Sequence, residues 1–340
     1  MANLFDYLHW RGGLPVERAP LNPVDALILS WCASMPLKNP LPDTLGEAAR
    51  SVNTEFARAI ASSRRFAPMK LYRFEEKFSE GEQMQFACLT LLTGDGRAFI
   101  AFRGTDSTLV GWKEDFNMAF SDEVPAQREA TAAVNRIGAE LQIPLRIGGH
   151  SKGGNLAVYS ASRCGPEIRR YIERVYNFDG PGLSPAVMSS MGHIAVEPKI
   201  ETYLPEESLV GILLERSARY HVVKSDASGV MQHSPYTWQV TPDSFKLMDE
   251  LGWQSLYADR TIREWLESMP RESRERFINA LYAIVESTDA KTIGEIGEDR
   301  QKSVWNMLGA FTELDLRTKA TLFVSLGRLI RSAVKNWNGG

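Results

Sequence analysis

The sequence predicts an α/β fold, a mainly parallel sheet covered by helices on both faces, with a helical region added after it. Three observations carry this. Strand-like and helix-like runs alternate from about residue 97 to residue 225. A glycine-rich strand-to-helix turn, Gly148 to Gly154, sits in the middle of that alternation. From about residue 243 strand patterns disappear and 3.6-residue apolar spacing takes over. The expected division is therefore residues 1–242 for the sheet domain with its N-terminal extension and residues 243–340 for the helices.

In chain order, Phe5, Tyr7 and Trp10 form an aromatic cluster, and Val24 to Trp31 reads as a buried helix capped near Asn22; both are scaffold. Thr44 to Ser62 is expected to be one helix, acidic early and basic late, as the helix dipole favours. Met84–Thr93 and Arg97–Phe102, joined by Gly94-Asp95-Gly96, read as a hairpin. Gln127 to Leu141 has the apolar spacing of an amphipathic helix and leads into the strand Leu145–Ile147. Val175–Phe178, Ile200–Leu204 and Tyr220–Lys224 supply further strands. Glu264–Met269, Glu272–Val285 and Ser303–Lys335 read as helices. Thr321–Trp337 mixes Leu322, Phe323, Leu326, Leu329, Ile330 and Val334 with Arg328, Arg331 and Lys335. A helix packed on its own domain is preferred there over one lying on a membrane surface.

Composition excludes several classes. With 340 residues, 44% hydrophobic and 24% charged, the chain can bury a large core. A formal net charge of −3, with no long run of one sign, offers nothing to attract a nucleic acid. Cys32, Cys88 and Cys164 are widely spaced, with no C-x-x-C pair, and are expected to be buried, reduced thiols. The first residues lack the basic-then-apolar pattern of a leader, and no run reaches about 18 apolar residues, so the cytoplasm is the expected compartment.

The chemical signal is Gly149-His150-Ser151-Lys152-Gly153, the pattern of a nucleophile elbow. Such a turn holds its serine in a strained conformation and needs small neighbours where helix and strand meet. The bare pattern arises by chance in about one chain in ten of this length, so context decides. An attacking serine must lose its proton to a histidine, and a carboxylate must hold that ring in the right tautomer. In strand-turn-helix hydrolases the order along the chain is serine, acid, histidine.

Of the histidines, His9 lies upstream in the aromatic cluster, His193 is not delivered by a strand end, His150 adjoins the serine, and His221 falls inside a strand. His233 follows the last strand in a polar loop and is the expected base. Asp179 closes the strand after the elbow helix, at the sheet edge where Ser151 emerges, and is the preferred acid. Glu207, closing the next strand, is the alternative. The backbone N–H groups of Lys152 and of Gly104-Thr105 are the expected oxyanion donors, with the Thr105 hydroxyl as a supplement. This chemistry calls for no metal and no cofactor.

Phe102-Arg103-Gly104-Thr105-Asp106-Ser107 with Trp112 and Asp115, then Gly149-His150-Ser151-Lys152-Gly153-Gly154, together resemble the class 3 (fungal-type) lipase family of α/β-hydrolases, over roughly residues 80 to 240. The resemblance implies an α/β-hydrolase fold, lipase or esterase activity on a small-molecule or lipid ester, Ser151 as nucleophile and Thr105 as the oxyanion-hole residue. Asp6 to Gly12 and Gln232 to Trp238 resemble an uncharacterised, largely bacterial branch of hydrolase-like proteins, which brings no substrate with it. Two departures stand out. The family's acid lies two residues before a valine after the penultimate strand, where this chain has Ser208-Leu209-Val210. Asp179 takes over that role in this reading, as the acid does in pancreatic-type lipases. Lys152 stands where the family has an apolar residue, which implies a more polar site mouth. The sequence thus reads as a serine esterase, or as a non-catalytic binding or scaffold protein on the same fold. A His233 ring within hydrogen-bond reach of Ser151, with a carboxylate behind it, separates the two.

Overall fold

A computed structural model describes residues 2–106, 108–118, 121–217, 219–288 and 300–337, the last stretch with side chains from residue 305. Ser107 of the first motif lies outside the described residues. Eight strands form one sheet in chain order: β1 Lys70–Ser79, β2 Met84–Leu92, β3 Ala98–Phe102, β4 Leu145–His150, β5 Ile172–Phe178, β6 Ile200–Pro205, β7 His221–Val223 and β8 Leu247–Met248. β2 and β3 are antiparallel, as the hairpin signal required. β3 to β7 run parallel, and β8 returns antiparallel to β7. This is the mainly parallel sheet expected from the alternation, in the α/β-hydrolase fold that the resemblance implied. Register aligns Phe102 with Gly149 and His150 with Phe178, so β3, β4 and β5 end together at one carboxyl edge.

The centre of the sheet is covered by two helices. Pro23–Cys32 starts at Asn22, whose side chain accepts from Val24 N and Asp25 N, and proline occupies the first turn. Lys152–Arg163 follows the elbow. Successive strand residues face opposite ways, and the two glycines of β4 show which helix lies where. A Cβ on Gly148 would sit 2.8 Å from Ser30 Oγ, whereas one on Gly149 would sit 2.1 Å from the carbonyl carbon of Gly153. Beside them an aromatic ladder crosses the strands: Tyr176 and Phe178 at 6.0 Å, then Phe178 and Tyr203 at 5.6 Å. Below it, the fully buried Asp25 accepts from Arg65 and from Tyr7 Oη at 2.9 Å, tying the N-terminal extension to the helix behind β4.

Local structure departs from expectation in several places; the helix expected at Glu264–Met269, for one, runs from Trp253 to Glu267. Thr44–Ser62 is two helices, Leu45–Arg50 and Glu55–Ser62, because Thr54 caps a second start just as Thr44 caps the first. The last helical stretch likewise breaks into Arg300–Glu313 and Leu316–Trp337, where Asp315 Oδ1 accepts from Thr318 N at 2.9 Å. β1 and β8 were not expected as strands.

The chain forms two compact units. The first comprises Met1–Phe78, Phe86–Gly104 and Ala126–Ser255, and the second Ser79–Gln85, Thr105–Pro125 and Leu256–Gly340. Against the expected division at 242/243, residues 243–255 group with the sheet, to which they contribute β8, and residues 105–125 group with the helices. The second unit has its own small core of Phe277, Ile278, Ala280 and Leu322.

Candidate active site

Ser151 links β4 to the helix Lys152–Arg163 with φ 57° and ψ −132°, a conformation costly for a residue with a side chain. Its N–H donates to the carbonyl oxygen of Phe178 at 2.9 Å, which fastens the turn to β5. The turn fits only because its neighbours lack side chains. A Cβ on Gly153 would sit 2.2 Å from the carbonyl oxygen of Phe102. One on Gly104 would sit 2.8 Å from the carbonyl oxygen of His150 and 3.4 Å from Ser151 Cβ, so the end of β3 lies against the elbow.

Asp179 follows β5 directly and also has a positive φ, 50°. It is fully buried, and its N–H donates to the carbonyl oxygen of Tyr203 at 2.9 Å. Its two oxygens have different duties. Oδ2 accepts from His233 Nδ1 at 2.6 Å, and Oδ1 accepts from Ser208 Oγ at 2.5 Å and from Gly211 N at 3.1 Å. Because a carboxylate only accepts, Nδ1 of His233 carries a hydrogen, and in the neutral ring Nε2 is left as the proton acceptor. The His233 side chain is 27% exposed, so the carboxylate is sealed while the imidazole reaches the surface.

His233 arrives on the short helical turn Gly229–His233, which is held from several sides. His150 Nε2 lies 2.8 Å from the carbonyl oxygen of His233, which can only accept, so Nε2 is the protonated nitrogen. The two rings stand 4.5 Å apart, placing His233 beside the residue next to Ser151. Burial, with the nearby His233 ring, lowers the His150 pKa to about 3, so this imidazole is neutral and structural. Trp238 Nε1 donates to the carbonyl oxygen of Gln232 at 2.8 Å, and Gln232 Oε1 accepts from Glu207 N at 2.9 Å. Farther along, Trp31 Nε1 donates to Tyr236 Oη at 2.7 Å and Phe5 stacks on the Tyr236 ring at 5.6 Å, which gives the N-terminal aromatics their purpose.

The remaining candidates fall elsewhere. The Glu207 carboxylate accepts from Gly229 N, so it braces the start of the turn carrying His233. His221 stacks on Tyr203 at 4.9 Å, and His193 is buried with Nδ1 3.1 Å from Ser162 Oγ. Thr105 belongs to the second unit, where its hydroxyl donates to Asp115 Oδ2 at 2.5 Å. The polar mouth expected from Lys152 is not formed by its side chain, which is 1% exposed. Among the described residues, no group of His, Cys, Asp or Glu is arranged to hold a metal ion.

Two residues that position His233 and Asp179 were not singled out in that capacity from sequence. His150 drew notice only as the neighbour of the serine. Ser208 stood only for a missing acid, yet it bonds to the Asp179 carboxylate. The signal was present in both cases, as a polar residue at a strand end, but its partner lies 83 residues away for His150 and 29 for Ser208.

The sequence model of one family, described as Mbeg1-like, matches residues 60–283. No curated protein matches the chain. Solved structures similar to it include M37 lipase, with 12% identity and a TM-score of 0.40, covering 55% of this chain and 69% of that one. Another is the lipase of Rhizomucor miehei in its propeptide complex, with 15% identity and a TM-score of 0.36, covering 59% of this chain and 68% of that one.

Proposed function

The chain belongs to the Mbeg1-like family, and from that premise and the site geometry we propose that it is a serine hydrolase cleaving a carboxylic ester through an acyl-enzyme. The observation carrying this reading is the 2.6 Å contact of His233 Nδ1 with the sealed Asp179 carboxylate, at the same sheet edge as the strained Ser151. Unlike the buried His150 ring, the His233 ring is partly exposed, so the nitrogen left free by the Asp179 bond can serve a substrate. Ser151 Oγ attacks the ester carbonyl as His233 Nε2 takes its proton, and Asp179 stabilises the imidazolium that forms. Charge developing on the carbonyl oxygen is met by the N–H of Lys152, at the first turn of its helix. Collapse expels the alcohol, which receives the proton from His233. Water, deprotonated by the same nitrogen, then releases the acid and regenerates Ser151. A small-molecule or lipid ester is the substrate class, and the three buried, unpaired cysteines suit the reducing cytoplasm.

Labelling with a fluorophosphonate and the burst with a short p-nitrophenyl ester test this directly. Wild type should give both, Ser151→Ala neither, and Asp179→Asn should react about 10³- to 10⁴-fold more slowly. A wild-type protein that gives no burst and no label on Ser151 refutes the reading.

A further inference from the structure

We propose that the last described helix, Leu316–Trp337, docks the protein on the surface of a membrane containing anionic phospholipid. Packing explains only one side of this helix. Leu322, Ser325 and Ser332 are buried, Trp265 Nε1 donates to the carbonyl oxygen of Ser325 at 2.8 Å, and Tyr257 Oη donates to that of Ala333 at 3.0 Å. The packed helix expected from sequence accounts for that side alone.

The opposite side carries a second apolar stripe. Leu316, Phe323 and Ile330 recur at every seventh residue and are 85%, 65% and 64% exposed, with Leu326 and Val334 exposed between and after them and Trp337 at the end. At 100° per residue these side chains share one face. Phe323 meets Phe311 edge-on at 5.9 Å and Trp337 meets Tyr257 at 5.9 Å, which leaves Leu316, Leu326, Ile330 and Val334 as the exposed aliphatic part of the stripe. Such groups aligned along a helix mark an interaction surface.

Charge selects the occupant. The 22 residues contain Arg317, Lys319, Arg328, Arg331 and Lys335 and no aspartate or glutamate. Arg317 and Lys335 pair with Glu272 and Glu264. Lys319 and Arg328 donate to the carbonyl oxygens of Thr312 and Ser268, and Lys319 also lies over the Phe311 ring at 5.9 Å, so neither is paired with a carboxylate. A second copy docked on this stripe would face Lys319 within it and the single row of Arg317, Arg328, Arg331 and Lys335 beside it, with no acid on the helix to meet them, which disfavours self-association. Lipid headgroups bearing negative charge complement these cations while the acyl boundary receives the stripe. No described helix is long and apolar enough to cross a membrane, so this one lies in the plane of the interface.

The proposal is independent of the Ser151 chemistry and is tested without an activity assay. The full chain is sedimented with vesicles of phosphatidylcholine mixed with phosphatidylserine, and with vesicles of phosphatidylcholine alone. Variants are Leu326→Glu/Ile330→Glu on the stripe and Arg328→Glu/Arg331→Glu beside it, each checked for native circular dichroism. Wild type should bind the anionic vesicles at least about tenfold more tightly than the neutral ones, and each double variant should lose about tenfold or more of that binding. Equal binding to the two vesicle types, no binding to either, or variants that bind as wild type does would overturn it. So would a wild-type dimer that the stripe variant abolishes in the absence of any vesicle binding.

Discussion

Asp179 reaches His233 through a backbone conformation that few aspartates adopt, and Ser208 and Gly211 hold the carboxylate there from its other oxygen. A hydrogen bond to a charged group contributes about 1.5–3 kcal/mol. Ser208→Ala should therefore lower kcat/KM for an ester about tenfold or more while fluorophosphonate still labels Ser151. Glu207→Gln keeps an acceptor for Gly229 N and should stay within about threefold of wild type. Steady-state kinetics that reversed these two results would make Glu207 the acid.

His150 adds a pH dependence to stability. Its pKa is lowered to about 3 by burial, against about 6.5 in the unfolded chain. Below about pH 6.5 the unfolded chain takes up a proton that the folded ring refuses. The contribution is thus fully present above that pH and declines, by up to about 1.4 kcal/mol per pH unit, as pH falls toward 3. Urea midpoints measured from about pH 7 down to about pH 5 should fall less steeply for His150→Gln than for wild type. Parallel slopes would mean that the ring is not buried neutral.

At the scale of elements, the elbow is held by exclusion of volume. The Cβ of Gly153→Ala would press on the Phe102 carbonyl oxygen at 2.2 Å, a backbone atom that cannot swing aside. The substitution should cost about 3 kcal/mol and lower the melting temperature. Gly309→Ala, on the helix Arg300–Glu313 with nothing within 4 Å of its Cβ, should instead stabilise by about 0.5–1 kcal/mol. Equal shifts in a thermal melt would remove the steric argument.

The same locality explains what the sequence disclosed. The elbow was legible because each of its glycines answers to a contact in the next turn or the next strand. The helix start at Asn22 was legible for a similar reason, since cap and capped amides lie within three residues. β1 was not, because Lys70, Arg73, Glu75, Glu76 and Lys77 crowd a strand at the sheet edge and hide its alternation. The break at Thr54 was masked by helix formers on both sides. Asp179 could be ranked by its strand-end position, but its bond to Ser208 exists only once β5 and the segment after β6 are side by side. The departure from the family's apolar residue suggested a polar mouth at Lys152, whereas the elbow's geometry, which fixes where the helix's first side chain points, buries it.

For the whole molecule, each of the two compact units has an apolar core of its own among the described residues, which implies two cooperative units. Leu322 is 3% exposed within the small helical core, and Leu322→Ala should cost about 2–4 kcal/mol there. Scanning calorimetry should resolve two transitions, of which this substitution lowers only one. A single transition shifting as a whole would show the units unfolding together.

Ser151 and Asp179 stand at the ends of neighbouring strands, β4 and β5, and each is fastened by a backbone bond to the strand beyond. His233 belongs to no strand and is kept in place by the His150 ring, the Asp179 carboxylate and the indole of Trp238 acting one residue away. Local opening can thus detach His233 while Ser151 and Asp179 stay in register, since that excursion breaks no rung of the ladder. Amide hydrogens of residues 229–234 should exchange with solvent well before those of Ser151 and Asp179, and under the proposed function reactivity at the serine should fall as that opening becomes more populated.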